Sequence, residues 1–198
     1  MQNYEYQEQF NEVSCGAACL SMIYKRHGID FPQEQIYLDL NKYNVPLQVA
    51  DIVNHVNDYS KLFACAVKFK GDVGVILRLV NDSKFDMIMN HIEKGSNTAH
   101  FTLFTKVVDD IVYGVDPYHK ENFPVSISEM ETLWQKNENA DVGKIAGKAA
   151  ILISDDESLF STITRLCGHS IMRINFEKSV IDRILCSRCN DWRGPGWD

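Results

Sequence analysis

Apolar residues change their spacing near Phe63, and that change limits the folds open to this chain. Before it, hydrophobic side chains recur every three or four positions, the period of a helix with one buried face. Residues 14 to 27 read as the first helix. Ser14 is a good cap, Lys25, Arg26 and His27 suit the negative end of the dipole, and Gly28 supplies the stop. Ala18, Met22 and Ile23 would then share a buried stripe. A second helix is expected from Gln33 to Leu40, after Pro32. A third is expected from about Leu47 to Asn57, where Val49, Ile52, Val53 and Val56 keep the helical spacing.

After Phe63 the short apolar runs belong to strands. Phe63 to Phe69 and Phe85 to His91 read as strands, with Val73 to Asn81 a helix or crossover connection between them. His100 to Val107 and Ile111 to Val115 alternate around the polar pair Asp109-Asp110, as an antiparallel hairpin does. Helical spacing resumes from Ser126 to Gln135, and Lys148 to Ile153 is a short apolar strand. Asp155-Asp156-Glu157 then breaks the pattern, so we place a main domain at 1–154 and a Cys-rich C-terminal appendage at 155–198, docked on the body or binding metal. Helices first and a mainly antiparallel sheet second is an α+β layout.

The balance of 27 carboxylates against 20 Lys and Arg, with no basic cluster, argues against nucleic acid as a partner. The longest uncharged apolar runs fall far short of the roughly 20 residues that a membrane-crossing helix needs. The N-terminus has neither the basic start nor the apolar core of a secretory signal, so a cytoplasmic, reducing address is expected. In such a compartment the six cysteines are thiols, catalytic groups or metal ligands rather than a disulfide framework.

Cys15 falls in the first turn of its helix, where unpaired backbone N–H groups and the positive dipole end favour a thiolate, the nucleophilic form. Taken alone, Cys-Gly-Ala-Ala-Cys is a weak signal, since small residues and Cys are more often the filling of a buried helix, so partners must decide. Gln9 lies six residues earlier in a polar segment, where its amide can donate to a developing oxyanion. His100 follows a loop-like Gly95-Ser96-Asn97-Thr98-Ala99. Asp116 stands at the end of the return strand, where Pro117 stops the ladder, in position to hold the imidazole tautomer. Cys19 and Cys65 read as core residues, and His27, His55, His91 and His119 are scattered.

The hairpin imposes a geometric condition. His100 and Asp116 share a face only if opposed residue numbers sum to an even value, and a two-residue Asp109-Asp110 turn makes the sum odd. An odd-length loop near Val107 to Asp109, or a bulge that restores the parity, is therefore expected.

Gln9, then Cys15-Gly-Ala-Ala-Cys-Leu-Ser-Met-Ile23, His100-Phe101 at a strand start and Val115-Asp116-Pro117 together resemble the C39 family of papain-like cysteine peptidases. These are double-glycine leader peptidases of bacteriocin-exporting ABC transporters. The likeness runs from about Gln9 to Ile153, with Leu133-Trp134 and Ala149-Ala150-Ile151-Leu152 similar to the family's closing Trp and last strand. It implies a papain-like fold with Cys15 as nucleophile, His100 as general acid and base, and Asp116 as its orienter. Gln9 and the Cys15 backbone N–H would form the oxyanion hole, with no cofactor required. The substrate implied is a small ribosomal precursor peptide cut after Gly-Gly or Gly-Ala, with an amphipathic leader helix docked in a hydrophobic groove and an exporter as a further partner. Two departures stand out. This chain has Ser14 where the family usually has Asp. It also ends at residue 198 with neither a membrane span nor a phosphate loop, as a stand-alone enzyme or an excised fragment would.

Two other functions use the same residues: an acyltransferase sharing the thioester chemistry, and a leader-binding module without turnover. The full set Cys15, His100, Asp116 and Gln9 disfavours the second. In the tail, Cys167-Gly168-His169 and Cys186-Ser-Arg-Cys189 would supply four ligands to a structural zinc ion. A redox-active Cys186/Cys189 pair and plain free thiols are the competing readings, and free thiols are the default. Trp192 and Trp197, costly to leave in water, are expected to dock on the body or on a partner.

Overall fold

The computed structural model describes residues 4–40, 47–118, 124–135, 147–164 and 167–194. Helices α1 (Cys15–Arg26), α2 (Gln33–Leu40) and α3 (Val49–Tyr59) come first. They are followed by β1 (Phe63–Phe69), α4 (Val73–Asn81), β2 (Asp86–Ile92), β3 (Ala99–Val108), β4 (Ile111–Val115), β5 (Val125–Ser126), α5 (Ile127–Leu133) and β6 (Ala149–Ser154). The tail adds β7 (Phe160–Thr164), β8 (Ser170–Ile174), β9 (Ile181–Cys186) and β10 (Asp191–Arg193). Eight strands form one sheet in the order β10-β9-β1-β6-β2-β3-β4-β5, with β7 and β8 a separate two-stranded sheet. The neighbouring strands of both are antiparallel.

Both faces of the sheet are covered, and strand alternation sorts the core. Ala64 and Ala66 of β1, with Ile88, Leu103, Ile151 and Ile153, pack with side chains of α1 to α3. Cys65, Val67 and Phe69 pack in a second cluster with Ile76 and Leu77 of α4 and Met130 of α5. The small Ala64 and Ala66 leave room for helices above them, and the larger residues of the other face fill the second layer. Trp134, fully buried, donates its indole N–H to the Ala149 carbonyl at 3.0 Å and so fixes the start of β6.

A single apolar stripe was expected on α1, but every residue from Cys15 to Tyr24 is buried. Helices α2 and α3 and the sheet enclose it from several sides, which is the setting of a helix without a solvent face. Its C-terminus is pinned by charge. Arg26 and His27 both meet Asp86, with His27 Nε2 2.7 Å from Oδ2, and the Tyr4 hydroxyl donates to Oδ1 at 2.6 Å. Asp86 is buried, so the three partners replace the water it gave up.

The described strands after 155 lie against the body. In register, Val67 of β1 faces Ile184 of β9, and Ile184 and Leu185 enter the two core clusters. Phe160 of β7 meets Phe63 at a tilt and Phe85 edge-on, with ring centres 5.8 and 5.6 Å apart. Trp192 is partly buried against the helical cluster, while Trp197 and His119 lie outside the described residues.

Candidate active site

Helix α1 approaches β3 closely because Gly16 has no side chain. A Cβ there would lie 2.9 Å from Ile52 Cδ1 and 3.2 Å from the Phe101 ring. One turn further on, the Cys19 thiol meets the Phe101 carbonyl at 3.5 Å. Cys15, Gly16 and Cys19 therefore form a stripe on α1 that lies against His100-Phe101. Cys15 is 7% exposed and His100 5%, so the thiol and imidazole meet in a site almost closed to water.

His100 Nε2 is 2.8 Å from Asp116 Oδ1, which also accepts the Tyr118 backbone N–H at 2.8 Å. The Cys15 thiol lies within electrostatic reach of the same ring. Burial by itself would lower the His100 pKa. The hydrogen bond to Asp116, then the interaction with Cys15 and the carboxylate charge, outweigh it and push the value up to about 10. Cys19 is different: complete burial, then the neighbouring Cys15 and Asp116, push its thiol well up, so it stays neutral.

The parity condition is met by a bulge. The hairpin does turn at Asp109-Asp110, with Asp109 at φ 52° and Val108 paired to Ile111. That odd register persists to Lys106 and Tyr113, then shifts, so that Phe104 pairs with Gly114 and Leu103 with Val115. Thr105 is the extra residue, and beyond it the register is even. His100 and Asp116 share a face for that reason.

Gln9 joins the site through two loops. Its Nε2 donates to the Asn11 carbonyl at 2.8 Å, and the same oxygen accepts from Ser14 N at 3.3 Å and Ser14 Oγ at 3.1 Å. Its backbone N–H donates to the Pro117 carbonyl at 3.0 Å, which the Tyr6 hydroxyl reaches at 3.3 Å. The Gln9 amide therefore sits beside the N-terminus of α1, with its second N–H not committed to Asn11. Ser14 occupies the cap position as expected, but its hydroxyl makes no cap bond, because it is engaged with Asn11.

Two contributors were missed. Asn11 organises the approach to Cys15, and its Oδ1 accepts Val13 N at 3.0 Å. An Asn three residues before a helix cap is a legible sign of such a turn. His91 faces His100 edge-on, ring centres 6.0 Å apart, with Nε2 2.9 Å from Thr102 Oγ1 and Nδ1 2.6 Å from the Ile92 carbonyl. Burial, and next the charge of His100, lower its pKa to about 4, so His91 stays neutral beside a cationic neighbour.

The sequence-selected tail residues also converge. Cys167 Sγ, His169 Nδ1 or Nε2, Cys186 Sγ and Cys189 Sγ lie within 4.8 Å of one another.

Papain-like cysteine peptidases divide their machinery between a helix and a sheet in this way, and the chain is a cysteine peptidase of that class. Its sequence matches the peptidase C39 family over residues 3–138, and it belongs to that family. Among solved structures it is similar to the peptidase domain of Streptococcus ComA, a bi-functional ABC transporter involved in quorum sensing. Identity is 18%, 77% of this chain and 98% of that one are covered, and the TM-score is 0.60. It is also similar to a double glycine motif protease from an AMS/PCAT transporter, solved with its leader peptide. There the identity is 16%, the coverage 77% and 90%, and the TM-score 0.56. No curated protein is significantly similar in sequence. Among the described residues, no helix is long and apolar enough to cross a membrane.

Proposed function

We propose that the chain is an endopeptidase that removes a leader from a small ribosomal precursor peptide, cutting after Gly-Gly or Gly-Ala. The supporting observation is the 2.8 Å bond between His100 and Asp116, with the Cys15 thiol near enough to act on the same ring. In this reading the Cys15 thiolate attacks the scissile carbonyl carbon, and its oxygen takes up negative charge. Gln9 Nε2 and the Cys15 backbone N–H stabilise that oxyanion. His100 gives its proton to the leaving amine nitrogen, the C–N bond breaks, and a thioester joins the leader to Cys15. Water then attacks the thioester, its proton passes to His100, and the leader departs as a carboxylic acid.

Asp116 keeps the ring oriented throughout. This chemistry takes no cofactor, and a metal at Cys167, His169, Cys186 and Cys189 would be structural. The similarity to a double glycine motif protease solved with a leader peptide supports the choice of substrate, and similarity to a transporter's peptidase domain supports an exporter as partner in the cytoplasm. The test is incubation of the full chain with a Gly-Gly leader precursor, read by mass spectrometry beside Cys15→Ala. Cleavage after the Gly pair in the wild type alone is expected. A leader joined to an added amine would mean acyl transfer, and tight binding without turnover would mean a recognition module. Either result overturns the peptidase reading.

A further inference from the structure

Cys167 and His169 flank Gly168 in the loop between β7 and β8, whereas Cys186 ends β9 and Cys189 closes the turn into β10. The Cys167 and Cys186 sulfurs are 3.6 Å apart, and Cys186 Sγ is 3.7 Å from His169 Nδ1. A disulfide requires about 2.05 Å between sulfurs, so these are not bonded to each other. Zinc held tetrahedrally by sulfur at about 2.3 Å and nitrogen at about 2.0–2.1 Å sets its ligand atoms roughly 3.5–3.8 Å apart. Those two pairs already have that spacing.

The loops favour convergence. Gly168 takes φ +80°, a left-handed conformation that lets Cys167 and His169 turn toward one point. Cys189 N donates to the Cys186 carbonyl at 3.3 Å and closes the Cys-x2-Cys turn. The backbone N–H of His169 is directed at the Cys167 sulfur, the kind of outer hydrogen bond that steadies a thiolate ligand. Three thiolates around a divalent ion leave one net negative charge. Arg188, paired with Asp58, lies within electrostatic range of Cys186, and Arg193, paired with Asp191, within range of Cys167 and Cys189, so each adds some positive potential beside the cluster.

We propose that Cys167, His169, Cys186 and Cys189 bind one Zn²⁺ that fastens the β7–β8 hairpin to the β9–β10 end of the main sheet. Four protein ligands close the coordination shell, which makes the site structural. The ion would join two loops that are linked across this end of the molecule by no backbone ladder, since β7 and β8 pair only with each other among the described strands.

The experiment uses the full chain, reduced, loaded with zinc and desalted without chelator, then analysed for metal by native mass spectrometry. One zinc per chain is expected, and cobalt put in its place is expected to give the visible spectrum of a tetrahedral thiolate site. Cys167→Ser and Cys189→Ser change exposed positions, so each should stay folded by circular dichroism yet lose the stoichiometric zinc. A wild type that takes up no zinc overturns the proposal. So does zinc retained by the Cys167→Ser/Cys189→Ser double variant, or a Cys186–Cys189 disulfide formed in the presence of the metal.

Discussion

The backbone N–H of Gln9 donates to the carbonyl of Pro117 at 3.0 Å, which ties the segment before Cys15 to the loop that carries Asp116. Because that bond is made by the main chain, Gln9→Ala keeps it and removes only the side-chain amide. If the amide serves the oxyanion, kcat should fall about 10²–10³-fold while KM changes little. The melting temperature should stay near that of the wild type. Steady-state kinetics on a leader substrate checks this, and an unchanged kcat would remove Gln9 from the mechanism.

Asp116→Asn tests the origin of the His100 shift. A histidine raised from 6.5 to about 10 contributes stability that is fully present below pH 6.5 and is lost as pH rises toward 10. The hydrogen bond from His100 to Asp116 is the largest of the influences that raise it. Asp116→Asn should therefore move the His100 titration to lower pH, bring the alkaline loss of kcat/KM down with it, and flatten the fall in stability between pH 6.5 and 10. Proton NMR of the ring and denaturant unfolding across that range read the two effects separately.

Gly16→Ala sets two opposing effects against each other. Alanine favours a helix by about 1 kcal/mol over glycine. The added methyl, however, would meet Ile52 at 2.9 Å and Phe101 at 3.2 Å, and both are buried in a packed core. Overpacking of this kind costs about 1–3 kcal/mol, so net destabilisation is expected. Activity should fall by more than the loss of folded protein explains, because the strain separates α1 from β3 at Cys15 and His100. A stabilised Gly16→Ala variant would show that the contact is looser than described.

His91 predicts the opposite pH behaviour from His100. Its pKa is lowered to about 4, so the folded state resists a proton that the unfolded chain accepts near 6.5. Stability should decline as pH falls from 6.5 toward 4, and His91→Gln should decline less over the same interval. Urea melts of both proteins at a series of acid pH values measure the difference.

Local periodicity made much of this architecture legible. Gln33–Leu40, Phe63–Phe69, Val73–Asn81 and Ile111–Val115 have the bounds that spacing alone predicts. The need for either an odd-length loop or a bulge also followed from parity, since side chains alternate between faces along both strands, and the bulge is the one present. What escaped depends on partners distant in sequence. The all-round burial of α1 is decided by α2, α3 and the sheet together, and no residue within α1 announces it. Ser14 looked like a capping side chain, yet Asn11 competes for its hydroxyl. His91 gave no signal because its meaning lies in pairing directly across from His100.

Strand β9 has a consequence beyond the cysteine at its end. It pairs along the outer side of β1 from Val67 to Phe69, the end of a strand in which six of seven residues are apolar, Phe63-Ala-Cys-Ala-Val-Lys-Phe69. A polypeptide truncated after Ser154 would bare that margin, with its amide and carbonyl groups unsatisfied and ready to template a neighbour. With β9 in place that margin is paired, and versions of this enzyme shortened to 1–154 should clump before they unfold.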